Sequence, residues 1–152
     1  MPIDLPAAEN FIWSAARLVD RHRYSLLFDD GPAEPVIDAL RAYRNPDGGF
    51  GHALEPDLRG PGSQPAPTLY ALEILSEAGA ADSALVRDAR GWIAQIAAPD
   101  GGIPSVLPGF EAYPHAPWFA AGPGSILTLA LAGALHAGGV TEDPWLHRAT
   151  NW

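Results

Sequence analysis

Cysteine is absent from this chain of 152 residues, and lysine is absent too, because all nine basic residues are arginine. The first absence excludes disulfides, thiolate nucleophiles, iron–sulfur clusters and cysteine-ligated zinc. The second excludes Schiff-base lysine chemistry and a P-loop lysine. The net charge is −9, without a cluster of basic residues in the sequence, so we expect no nucleic-acid partner.

Strand-forming residues are also scarce, with 5 Val and 8 Ile against 27 Ala and 17 Leu. Together with 16 Gly and 16 Pro, this composition predicts a single all-α domain over residues 1–152, with loops rich in Gly and Pro. Residues 1–10 have no basic residue ahead of an apolar run, so we do not expect them to form a signal peptide. The longest apolar run, residues 126–135, is too short to span a bilayer. We therefore expect a cytoplasmic protein.

Apolar periodicity predicts six helical segments. The fifth is apolar on nearly all sides and is expected to be buried on most of them. The segments are residues 6–23, 32–44, 66–78, 82 or 83 to 98, 124–137, and a last helix that starts within 141–144.

A short motif occurs twice, 53 residues apart: Pro-Asp-Gly-Gly-Phe at 46–50 and Pro-Asp-Gly-Gly-Ile at 99–103. Each copy follows an amphipathic helix and precedes a more apolar one. Proline fixes φ, the aspartate side chain can bond the backbone two residues on, and glycine accepts positive φ. The sequence therefore predicts a repeated unit of helix, turn, loop and inner helix.

This unit resembles the repeat of the α/α-toroid superfamily, which includes terpenoid (squalene-type) cyclases and the β-subunits of protein prenyltransferases. The resemblance implies an arc of an (α/α) toroid with an isoprenoid-type apolar ligand in its inner cavity. Three helix pairs do not close a ring, so we expect either a homodimer or a missing C-terminal half, and the ending at Trp152 favours an incomplete domain. The matching residues are Asp47, Gly48, Gly49, Phe50 and Gly51, and more weakly Asp100, Gly101 and Gly102.

The family's catalytic motifs are not found in this chain. It has no cysteine for a prenyltransferase zinc site, and it has no Asp-x-Asp-Asp motif of the kind that protonates squalene-type substrates. Whether the protein is an enzyme stays open. An enzyme on this scaffold would be prenyltransferase-like or terpene-cyclase-like, and we do not expect catalysis by this chain alone.

Residues 52–65, here named the acidic loop, form the first candidate site. His52, Glu55 and Asp57 are the candidate catalytic residues, since they can hold a hard cation such as Mg²⁺ or supply a general acid. Arg59 and Gln64 are candidate ligand-binding residues. The alternative is structural: Glu55 and Asp57 cap helix N-termini, and Arg59 pairs with them.

Residues 104–123, here named the aromatic loop, form the second candidate site. Tyr113, His115, Trp118 and Phe119 are candidate ligand-binding residues, because aromatic faces attract cations and long irregular loops are often functional. The alternative is that Trp118 and Phe119 only plug the rim of the fold as core residues.

Three functions remain open on the sequence alone. The first is a terpenoid-cyclase-like or prenyltransferase-like protein that holds an apolar ligand. The second is a non-catalytic module, on the same scaffold, that binds a ligand or a protein. The third is a carbohydrate-active α/α barrel, for which Glu55 and Asp57 are a poor flanking pair. Tyr70 and Glu73, on an inner helix, can face a central cavity.

Overall fold

The computed structural model describes residues 4–122 and 124–152. Within them the chain is all-α, as predicted, with no strand and only two isolated bridges, Arg44 with Phe50 and Leu58 with His115. A 3₁₀ turn covers Phe110–Ala112. The α-helices are α1 (Leu5–Ala15), α2 (Leu18–Phe28), α3 (Glu34–Arg41), α4 (Pro65–Glu77), α5 (Ala84–Ile96), α6 (Leu127–Ala137) and α7 (Pro144–Ala149). None of them is long and apolar enough to cross a membrane.

The single helix predicted over residues 6–23 is wrong, because the chain breaks between α1 and α2 at Ala16 and Arg17. Both residues have extended backbone angles, with ψ of 159° and 157°. The Arg17 guanidinium donates to the backbone oxygens of Ala53 at 3.0 Å and Leu54 at 2.8 Å, and it pairs with Asp20 at 2.6 Å. A contact 36 residues away in sequence thus accompanies the break, and apolar periodicity carries no signal for it.

The other predicted helices are present, with ends that differ by a few residues. Two of them begin at the capping residues expected for helix N-termini. The Ser83 hydroxyl accepts from the backbone amide of Val86 at the start of α5. The Asp143 carboxylate accepts from the amides of Trp145 and Leu146 at the start of α7.

The two copies of the repeated motif have the same backbone geometry. In the first, the amide of Asn45 donates to the oxygen of Gly49, and in the second the amide of Ala98 donates to Gly102, both at 2.9 Å. Within each turn an aspartate Oδ1 accepts from the second glycine's amide at 3.0 Å. The first glycine, Gly48 or Gly101, has φ of +97°, which glycine adopts without the penalty that a Cβ brings.

Equivalent positions in the two units lie 53 residues apart in the turns and 60 residues apart in the apolar helices that follow them. The amide of buried Phe50 donates to Thr68 Oγ1, and that of buried Ile103 donates to Thr128 Oγ1. Both threonines are fully buried on the apolar helices α4 and α6. The second unit therefore has seven more residues between turn and helix, and they lie in the aromatic loop.

The hydrophobic core lies between α4 and its neighbours, since α4 packs against α3, α5 and α6. The prediction that the fifth segment is buried on most sides is wrong for one face of α6: Ile126, just before it, is 80% exposed, and Leu129 is 52% exposed. The largest fully buried side chains are Trp145, Phe50, Leu40, Leu54, Leu58, Ile74, Leu75, Ile93, Ile103, Leu131, Leu135 and Leu146.

Candidate functional site

The acidic and aromatic loops, predicted separately, lie against each other. The amide of Arg59 donates to the oxygen of Pro114 at 3.1 Å, and the amide of Ala116 donates to the oxygen of Asp57 at 2.9 Å. These bonds flank the Leu58–His115 bridge. The structure thereby brings together four of the predicted site residues, two from each loop: Asp57, Arg59, Tyr113 and His115.

A second link between the loops comes from Gln64, the residue before α4. Its Nε2 donates to the oxygen of Leu107 at 3.1 Å, and its Oε1 accepts from the amide of Leu107 at 2.7 Å. The residue is 5% exposed. Gln64 was predicted to bind ligand, and the structure places it as an anchor for the aromatic loop.

Asp57, Arg59 and His115 line one shallow groove, together with Pro56, Pro114 and Ala116. His115 Nδ1 lies 2.8 Å from the oxygen of Tyr113. A carbonyl oxygen only accepts, so Nδ1 carries a proton. The groove is open to solvent and offers one carboxylate, one guanidinium and one imidazole for polar contacts.

His52 and Glu55 do not join Asp57 around a common point. His52 has φ of +55°, and its Nε2 lies 3.0 Å from Asn45 Oδ1, toward the first turn. Glu55 Oε1 accepts from the amide of Asp57, within the loop. Neither carboxylate caps a helix. The described residues contain no group of three His, Asp or Glu that could hold a metal, and His52, Glu55 and Asp57 do not form such a group.

The aromatic residues of the second loop divide into buried and exposed ones. Phe119 packs on a small cluster of Leu58, Val106 and Phe110, as the structural alternative expected. Trp118 is 68% exposed, so it does not plug a core. Tyr113 is half-exposed and lies over Gly60.

A polar cluster between α2 and α4 includes residues that sequence reasoning noted only in passing. Arg23 makes two 2.6 Å contacts with the Glu77 carboxylate, and its Nη1 donates to Tyr70 Oη at 3.0 Å. Burial raises the pKa of the Glu73 carboxyl above its ordinary value; the charge of Glu77 adds to this, and that of Arg23 opposes it. Arg23 is 54 residues from Glu77, and no local signal predicts that contact.

Beside this cluster, α6 leaves apolar side chains in solvent. By the equivalence of Thr68 and Thr128, Leu69 on α4 corresponds to Leu129 on α6, and Glu73 corresponds to Gly133. Nothing lies within 4 Å of the position that a Gly133 Cβ would take. We name these five residues, on the packed helices α4 and α6 or just before α6, the apolar face: Leu69, Glu73, Ile126, Leu129 and Gly133.

Comparisons with known proteins do not identify a relative: no family model matches the chain, and neither a curated protein nor a solved structure matches it. The resemblance to the α/α toroids thus stays a prediction from the two glycine turns. Support for a function has to come from the geometry of the apolar face and the joined loops.

Proposed function

We propose that this chain binds an apolar, isoprenoid-type ligand on the apolar face. The observation that carries the proposal is the exposed start of α6, where Ile126, just before the helix, and Leu129 are 80% and 52% exposed. Burying an exposed aliphatic side chain is worth about 1.5–3 kcal/mol. A ligand of branched hydrocarbon units would remove this surface from water.

Two features of the apolar face favour the binding of an elongated ligand. No close contact requires glycine at position 133, in the middle of α6. The missing side chain lets a ligand approach the α6 backbone. Glu73, with Arg23 and Glu77 behind it, provides a polar end. An alcohol or another hydrogen-bonding head group would lie there.

The arc of an (α/α) toroid is the finer architecture that we propose for this fold. It is supported by the alternation of amphipathic α3, α5 and apolar α4, α6, and by the two equivalent turns. In such an arc α4 and α6 form the concave side. A prenyltransferase-like or cyclase-like protein with this arrangement would bind the ligand without reacting it, because His52, Glu55 and Asp57 do not lie around a common point.

A protein-binding module is the second candidate, favoured by a separate observation. No residue of α1 is buried, and Leu5 and Phe11 are 69% and 67% exposed. An isolated helix of this length is marginal in water. Nothing comparable favours the carbohydrate hypothesis, since Glu55 bonds the amide of Asp57 instead of facing it across a cleft.

The binding test uses farnesol and farnesyl diphosphate, each with and without Mg²⁺. We expect saturable binding of farnesol without metal, measured by calorimetry. Replacing Leu129 with Gln should weaken binding about fivefold, since it removes part of one leucine's burial. The matched control is Leu5→Gln, an even more exposed leucine on α1, and it should bind as the unaltered chain does.

Three results would change the proposal. If farnesol does not bind, the proposal is wrong. If Leu129→Gln and Leu5→Gln lose farnesol affinity equally, the binding is nonspecific. Binding of farnesyl diphosphate only with Mg²⁺ would favour an enzyme over a ligand-holding protein. Size-exclusion chromatography of the Leu5→Gln variant tests the second candidate, which expects the exposed α1 residues to mediate association.

A further inference from the structure

The groove between α5 and α7 gathers a third of the chain's cations. Arg87 and Arg90 on α5 and Arg148 on α7 line it, together with Gly91 and Asp143. The whole chain has nine basic residues and a net charge of −9. This groove, with three guanidinium groups and one carboxylate, has the opposite sign.

The single carboxylate in the groove is already engaged. Asp143 Oδ1 accepts from the amides of Trp145 and Leu146, and Oδ2 pairs with Arg90 Nε at 2.8 Å. Asp143 is only 8% exposed. It therefore neutralises Arg90 and holds α7 against α5, and it does not offset the charges of the other two arginines.

Arg87 and Arg148 retain most of their donors. In the described residues, Arg87 donates from Nη1 to the oxygen of Asp82 at 2.7 Å, and Arg148 donates from Nη1 to the oxygen of Pro144 at 3.0 Å. A guanidinium has five N–H groups in a planar fork. Both residues are exposed, and within the described part of the chain their other N–H groups make no hydrogen bond, so they can bind a ligand with several acceptor oxygens.

Gly91 lines this groove without a side chain. It lies in the middle of α5, where glycine is less favourable than alanine. Its φ is not positive, and nothing lies within 4 Å of the position that its Cβ would take. Neither backbone conformation nor packing requires glycine there, whereas a ligand against the helix would.

We propose that the α5–α7 groove is a binding site for a small multivalent oxyanion of the phosphate or diphosphate class. Guanidinium groups bind such oxygens through paired, charge-assisted hydrogen bonds. The local excess of two positive charges, three guanidiniums less one carboxylate, matches a dianion. The groove volume, about 330 Å³, lies at the lower end of small-molecule sites.

The test is calorimetry with inorganic diphosphate and inorganic phosphate at low ionic strength, without added metal. The unaltered chain should bind diphosphate saturably at one site. The double variant Arg87→Gln/Arg148→Gln should lose at least tenfold in affinity. The control double variant, Arg21→Gln/Arg41→Gln on α2 and α3, makes the same change in net charge away from the groove and should stay within twofold.

A third variant separates a site from a general charge effect. Gly91→Leu fills the groove without removing a charge, and leucine favours the helix, so binding should fall while the melting temperature does not. The proposal is overturned if the unaltered chain shows no saturable binding, if both double variants lose affinity equally, or if Gly91→Leu binds diphosphate normally. Farnesol affinity should be the same in all these variants, so this test is independent of the apolar face.

Discussion

Gly48 and Gly101 each combine a positive φ with a close approach to a neighbouring helix. A Cβ on Gly48 would lie 2.6 Å from the backbone oxygen of Asp88, and one on Gly101 would lie 2.9 Å from the Cβ of Arg148. The turns thus contact the next amphipathic helix, α5 or α7. Positive φ and close approach both require glycine at these residues.

Replacing Gly48 with Ala should lower the free energy of unfolding by about 2–3 kcal/mol, because the variant meets both an unfavourable φ and a backbone oxygen. Urea unfolding followed by tryptophan fluorescence measures this. The control is Gly62→Ala, where φ is not positive and nothing lies within 4 Å of the new methyl group. It should change stability by no more than about 1 kcal/mol, and equal losses in the two variants would contradict the explanation.

Individual site residues were predictable as polar groups in two loops, but their partners were not. His52 bonds Asn45 in the preceding turn, and Glu55 bonds the amide of Asp57. Arg23 reaches Tyr70 and Glu77 across the gap between α2 and α4. Such contacts depend on tertiary arrangement, whereas residue type and spacing report only local structure.

At the scale of helices and loops, periodicity and capping residues located the helices with errors at their ends. They failed between α1 and α2, where Arg17 turns toward the backbone of Ala53 and Leu54. They also failed to show that α6 leaves one side uncovered, because an apolar sequence does not reveal how many neighbours a helix has. The pairing of the acidic and aromatic loops likewise depends on bonds between residues more than 40 positions apart, such as Gln64 and Leu107.

Replacing Gln64 with Ala should separate those loops. The change removes both hydrogen bonds to Leu107 and leaves its partly buried backbone groups unpaired, so stability should fall by about 1–3 kcal/mol. Hydrogen exchange at the Leu107 amide should accelerate more than exchange within α4. The control, Gln95→Ala on the exposed side of α5, should stay within about 0.5 kcal/mol of the unaltered chain. Unchanged exchange in the Gln64 variant would rule out the anchoring role.

The whole molecule presents two chemically different surfaces on its two kinds of helix. The apolar face lies on α4 and α6, while the cationic groove lies between the amphipathic helix α5 and α7. Composition predicted the helices and the repeat predicted their alternation. Neither predicted the groove, because Arg148 lies more than 50 residues after Arg87 and Arg90, and basic residues are outnumbered by acidic ones overall.

The raised pKa of Glu73 sets how the molecule's stability should vary with pH. The neighbouring charged or titratable groups are Arg23 on α2 and Tyr70 and Glu77 on α4. Because the folded state binds the Glu73 proton more tightly than the unfolded state, ionising Glu73 costs stability. This cost is absent below the pKa that Glu73 has in the unfolded state. It grows between that pKa and the higher pKa of the folded state, and it is constant above both. Glu73→Gln should therefore be more stable than the unaltered chain at pH 7, and the difference should shrink toward pH 3.

The same carboxyl should make ligand binding depend on pH. A farnesol molecule on the apolar face removes further water from Glu73, which penalises the charged form and raises its pKa again. Affinity should therefore be higher at pH 5 than at pH 8, with proton uptake on binding visible as a buffer-dependent enthalpy in calorimetry. Glu73→Gln should bind equally at both pH values, while Glu9→Gln on the distant, exposed α1 should keep the full dependence. If the Glu73 variant retains the pH dependence, the ligand does not cover this part of α4, and the polar end of the proposed site has to lie elsewhere.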